Sequence, residues 1–138
     1  MCRCGMDSAI YTVVSNANVA ADGTIPVGTV VRRVGCDMGV EGDAIACRGI
    51  GYYAVDVTAT LSPDAAGAVG ISLMQDGVQV PGATAMGTGA TGQPMALSIS
   101  AIVRKVQCGT TTLSLALDSD GTAIGALVEN CTRRVIEI

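Results

Sequence analysis

The chain has 138 residues, of which 49% are hydrophobic and only 14% charged, with no His, Phe or Trp and a formal charge of −4. An acidic chain with three tyrosines as its only aromatics lacks the basic face that neutralises phosphates and the rings that stack bases, which argues against a nucleic-acid binder. Without histidine it also lacks the commonest general base and the commonest metal ligand, so it reads as non-enzymatic and without a cofactor. No apolar run approaches the length of a membrane span, and the opening "MCRCGMDSAIYTVV", with one Arg, no long apolar h-region and an early Asp7, is not expected to be a signal peptide.

Short candidate strands come first, in "SAIYTVVSN", "TIPVGTVVRRVG" and "DAIACRG". Then "GYYAVDVTATLS" alternates Tyr53, Val55, Val57, Ala59 and Leu61 with Ala54, Asp56, Thr58 and Thr60, the period of a half-buried strand. "AVGISLMQDGVQVPGATA" reads as two strands joined at Asp76-Gly77, a strong hairpin signal, with Pro81-Gly82 ending the second strand or placing it at a sheet edge. The segment "GATAMGTGATGQPM", Gly82–Met95, is expected to be a long surface loop. "MALSISAIVRKV" alternates again, "TTTLSLALDSDGTAIGALVE" is a strand, a turn at Asp118–Gly121 and a further strand, and "TRRVIEI" closes the chain as a last strand. Eighteen glycines and the absence of an uninterrupted helical stripe leave no helix. The expected fold is an all-β jelly-roll sandwich of about eight to ten antiparallel strands. Residues 1–20 are expected to be an N-terminal arm or anchor with a first short strand, and 21–138 the jelly-roll domain.

The order of three motifs carries a resemblance. They are Pro26, Gly28, Val30, Val31 and Arg32; Gly51-Tyr52-Tyr53 at the head of a long strand; and Leu73, Asp76, Gly77, Val80, Pro81, Gly82 and Ala83 in a hairpin. With the apolar end Val135–Ile138, the chain resembles the C1q/TNF-like trimeric jelly rolls, particularly bacterial and phage forms such as the C-terminal domains of collagen-like exosporium glycoproteins. The resemblance implies a homotrimer that buries one face of each sandwich around a threefold axis, which would account for the apolar excess. It points to a structural protein of a phage virion, a capsid decoration protein or head-fibre knob, with a major capsid or fibre protein as partner. Its rivals are a cysteine-cross-linked fibre subunit of a bacterial cell or spore surface and a receptor- or glycan-binding knob. No collagen-like Gly-X-Y stalk occurs in this chain, so ligand roles of animal relatives are not carried over.

Six cysteines remain to be placed. Cys2 and Cys4 are candidates for intermolecular contact or cross-linking. Cys36 with Cys47, and Cys108 with Cys131, are candidates for disulfides if their strands are neighbours, and otherwise for free thiols acting as small buried hydrophobes. No C-x-x-C or zinc spacing occurs. The pairs Arg32-Arg33, Arg104-Lys105 and Arg133-Arg134 hold six of the eight positive charges, and in a strand one residue of each pair should face outward. Arg32, Arg33, Arg133 and Arg134 read as solvated edge charges that discourage edge-to-edge pairing or, more sharply, as candidate interface charges for the acidic loops at Asp37, Glu41 and Asp43 or for an acidic shell. "DSDGT" carries the start of a calcium loop without its distant Glu and is explained by a hairpin turn.

Overall fold

The computed structural model describes residues 8–119 and 123–138. Eleven strands form among them: β1 Ala9–Val19, β2 Thr24–Ile25, β3 Thr29–Val34, β4 Met38–Glu41, β5 Ala44–Cys47, β6 Gly51–Pro63, β7 Gly67–Gln75, β8 Val78–Gly89, β9 Met95–Lys105, β10 Thr111–Ser119 and β11 Ala126–Glu137. They pack as two antiparallel sheets. Sheet one runs β3-β1-β11-β6-β9, and sheet two runs β4-β5-β10-β7-β8, with β2 added against β10. This is a jelly-roll sandwich, as the alternation in the sequence requires.

The register is that alternation made spatial. Val55, Val57 and Ala59 of β6 lie opposite Val135, Arg133 and Cys131 of β11, all facing inward and all buried. Across the gap, Leu113, Leu115 and Leu117 of β10 and Ile71 and Leu73 of β7 complete the core. Each fully buried aliphatic side chain of this kind contributes about 1.5–3 kcal/mol. Tyr53 is the single aromatic inside. Its hydroxyl donates to the carbonyl of Gly49 at 2.5 Å, which satisfies the one polar atom that burial would otherwise strand.

Turn chemistry sets the ends. Asp76 and Gly77 both have positive φ, 52° and 82°, the conformation of a type I′ hairpin whose twist matches the flanking strands. The Asp76 carboxylate then accepts from the Thr112 amide at 2.9 Å, fastening the β7–β8 hairpin to β10. On the other side, Gly28 has φ of 80°, and a Cβ there would collide with the carbonyl of Val13 and with Val14.

Two expectations change. Gly82–Met95 is not one loop: β8 runs to Gly89 as the edge strand of sheet two, and only Ala90–Pro94 connects it to β9. Small residues gave no hydrophobic alternation to read, yet β7 supplies the pairing partner, from Gly67↔Gly89 to Gln75↔Val78. The first strand expected within residues 1–20 is not short: β1, Ala9–Val19, lies inside sheet one between β3 and β11.

Candidate assembly surface

Sheet one turns its outer face to solvent, and that face is unusually apolar. Tyr11 on β1, Tyr52 on β6, Ile102 on β9 and Ile136 on β11 all project outward, with Ile102 64% exposed. They alternate with the core residues of the same strands, so the exposure follows from the pleat. Two of the charges on this face, Asp56 and Arg134, are paired with each other. Asp56 sits opposite both Arg134 on β11 and Ser100 on β9. It accepts from Arg134 Nη2 at 2.6 Å and from Ser100 Oγ at 2.8 Å. The Arg134 hydrogen bond first, and then that of Ser100, hold the Asp56 carboxyl below its ordinary value of 3.8. Arg104 lies over the Tyr52 ring, 5.7 Å from its centroid. Beside them an apolar groove of about 150 Å³ opens between Ala9, Tyr11, Val34 and Ile136, rimmed by Arg32 and Arg134.

A second apolar surface lies at the edge where β8 and β9 meet. A cleft of about 310 Å³ is lined by Val78, Val80, Pro81, Ile102 and Arg104, and Val78 is 71% exposed. Gln75 Nε2 donates to the Arg104 carbonyl at 3.0 Å and ties the two sheets together below the cleft.

The candidate interface charges separate. Arg32 and Arg33 are both exposed, because β3 is an edge strand with neither face covered. Arg134 faces outward and Arg104 does the same, while their neighbours Arg133 and Lys105 are buried, as the pleat demands of adjacent residues. Arg133 is therefore no interface charge. Only 2% exposed, it points into the sandwich, where Nη2 donates to the carbonyls of Ile25 at 2.6 Å and Pro26 at 2.9 Å. Burial pulls its pKa down. Asp37 is fully buried as well and is not available to another copy, whereas Glu41 and Asp43 are exposed.

The cysteines also divide, in a way the sequence reading did not anticipate. Cys36 and Cys108 are disulfide-bonded, while Cys47 and Cys131 are free, buried thiols. The expected Cys36–Cys47 and Cys108–Cys131 bridges thus do not form, for reasons of register. Cys47 lies opposite Met38, and both side chains enter the core. Cys131 pairs with Ala59, whereas Cys108 follows Lys105, which pairs with Gly51. Eight residues of β6 separate those levels, about 26 Å at 3.3 Å per residue. Burial first, then the nearby Glu137, push the Cys47 thiol up to about 12. Burial also raises Cys131, against the pull of Arg133 beside it. Neither thiol is set up as a nucleophile. Cys2 and Cys4 lie outside the described residues.

In the "DSDGT" segment, Asp118 accepts from Ser72 Oγ at 2.7 Å, and residues 120–122 lie outside the described part. No group of three or more potential metal ligands occurs among the described residues. Sequence reasoning missed the outer-face cluster of Tyr11, Tyr52 and Ile136. The apolar phase of β1 and β11 could have exposed it, since both faces of those strands carry apolar residues.

No family model and no curated protein matches this sequence. Solved structures do. Murine APRIL aligns with a TM-score of 0.72 at 12% identity, covering 96% of this chain and 99% of that one. The globular domain of a zebrafish complement 1qA protein aligns at 0.72 and 10% identity, covering 96% and 97%. The PRD1 vertex protein P5 aligns at 0.63 and 16% identity, covering 97% and 99%. At such identities the likeness is one of fold, and with the sheet order above it makes the chain an all-β sandwich of the TNF/C1q jelly-roll type.

Proposed function

We propose that this chain is a structural subunit that works by self-association, as a homotrimer on a virion, where it decorates a capsid or forms the knob of a head fibre. The observation that carries this reading is the outer face of sheet one: Tyr11, Tyr52, Ile102 and Ile136 exposed together, with the intervening Asp56 and Arg134 already neutralised against each other. A contiguous apolar face with paired charges favours burial against another protein surface. The apolar β8–β9 edge, at Val78 and Val80, adjoins that face at Ile102 and supplies a second apolar patch. Face-to-edge contact is heterologous, and a rotation that closes it generates a ring. The fold-level likeness to a PRD1 vertex protein is compatible with a place on a particle. The chemistry is burial and shape, with no turnover.

Light scattering coupled to size exclusion tests the assembly. A mass of three chains that falls to one in Ile136→Asp supports the reading, and a stable wild-type monomer removes it. Immunogold labelling of purified particles tests the location.

A further inference from the structure

Arg33 and Arg48 meet over Gly39, and the geometry points to a binding site for a small oxyanion at that seam. We propose that the two guanidinium groups clamp a phosphoryl, sulfuryl or carboxylate group where the edges of the sandwich come together. Arg33 belongs to β3, the edge strand of sheet one. Arg48 follows β5, and its amide donates to the Asp37 carbonyl at 2.7 Å, which fixes its backbone beside β4. Gly39 on β4 has no side chain to fill the space between them. A Cβ placed there would lie 3.4 and 3.5 Å from Nη1 and Nη2 of Arg48, and 3.7 Å from Nη1 of Arg33. The two cations therefore converge on one point from different sheets. Both are exposed, and among the described residues neither forms an ion pair.

Two like charges drawn to one spot repel, and among the described residues neither guanidinium has a carboxylate as ion-pair partner. An oxyanion seated over Gly39 supplies the missing charge and accepts charge-assisted hydrogen bonds from both forks, the geometry in which guanidinium is most effective. It would also bridge the free edges of the two sheets. Gly39 and Arg48 line neither the groove beside Tyr11 nor the β8–β9 cleft, whereas Arg33 also lines that groove, so Arg48→Gln separates loss of the site from loss of self-association.

Calorimetry and ³¹P NMR on the full chain, with inorganic phosphate and with chloride at equal ionic strength, test the site. Phosphate is expected to bind where chloride does not, and Arg33→Gln or Arg48→Gln each weakens it at least about tenfold. Gly39→Asp places a carboxylate between the forks and is expected to raise the unfolding midpoint and abolish phosphate binding, while Gly39→Asn does neither. Equal responses to chloride and phosphate, or unchanged binding in the arginine variants, overturn the proposal. Methyl phosphate and glucuronate distinguish a phosphoryl from a sugar-acid source.

Discussion

Arg133 reaches from β11 through the interior of the sandwich to the carbonyl of Ile25, 2.6 Å away on the strand added to sheet two. One side chain thus couples the two layers and satisfies two carbonyls, Ile25 at the end of β2 and Pro26 just beyond it. A buried cation in a small aliphatic core costs desolvation, and the hydrogen bonds offset it only while they are made.

Removing that side chain leaves both carbonyls without their partner and opens a cavity. Arg133→Ala should destabilise the fold by about 2–4 kcal/mol, measured by denaturant unfolding. Arg134→Ala, one residue away but outward, should change it by less than about 1 kcal/mol. Equal losses for the two would contradict the assigned roles.

The outer face of sheet one should govern assembly and not folding. Tyr11→Asp and Ile136→Asp are each expected to dissociate the oligomer while leaving the far-ultraviolet dichroism of a β protein unchanged. Sedimentation velocity reads the first and circular dichroism the second.

Asp56 gives a pH dependence of definite sign. Arg134 and Ser100 lower its carboxyl below 3.8 in the folded state, so its stabilisation is present above the unfolded value and is lost as pH falls through the lowered one. The pair is exposed, with side chains 58% and 38% accessible, so the effect is below about 1 kcal/mol. Asp56→Asn should cost that small amount at pH 7 and nothing once the wild-type carboxyl is protonated. Paired chemical denaturation at pH 7 and at pH 2 compares them.

The thiols of Cys47 and Cys131 should be silent in the native protein. At pH 8 a thiol raised to about 12 is almost wholly protonated, and burial excludes reagent as well. Ellman's reagent is expected to label neither in native protein and both after unfolding in guanidinium. Rapid native labelling at Cys47, mapped by mass spectrometry, would place it at the surface instead.

The glycine at position 28 offers a local test of backbone geometry. It occupies a positive-φ conformation in contact with the Val13 backbone. Gly28→Ala should destabilise by about 2 kcal/mol or more, since strain and collision act together.

Much of the architecture was legible because it is local. The period-two pattern of Tyr53 to Leu61 and of Leu113 to Leu117 announced strands and their buried faces. Asp76-Gly77 announced its hairpin through a conformational preference that belongs to two residues alone. The start of β8 and its edge position were legible after Asp76-Gly77, but its second half, Gly82–Gly89, was hidden because Ala, Gly and Thr bury little, so its pairing with β7 left no alternation to see. The disulfide pattern was hidden for a different reason. Which cysteines meet depends on register and on which loops share an end of the sandwich, and sequence distance does not report either.

By itself, then, the amino-acid sequence determined that this is an all-β chain with a small-residue aliphatic core, because hydrophobic alternation and turn preference act over a few residues. Only the tertiary structure decided that Arg133 lies inside and Arg134 outside at an interior strand, while Arg32 and Arg33 are both exposed at an edge. It also decided that Arg33 and Arg48 converge on Gly39. A side chain's role there depends on what covers each face of its strand, and that is set by strands dozens of residues away.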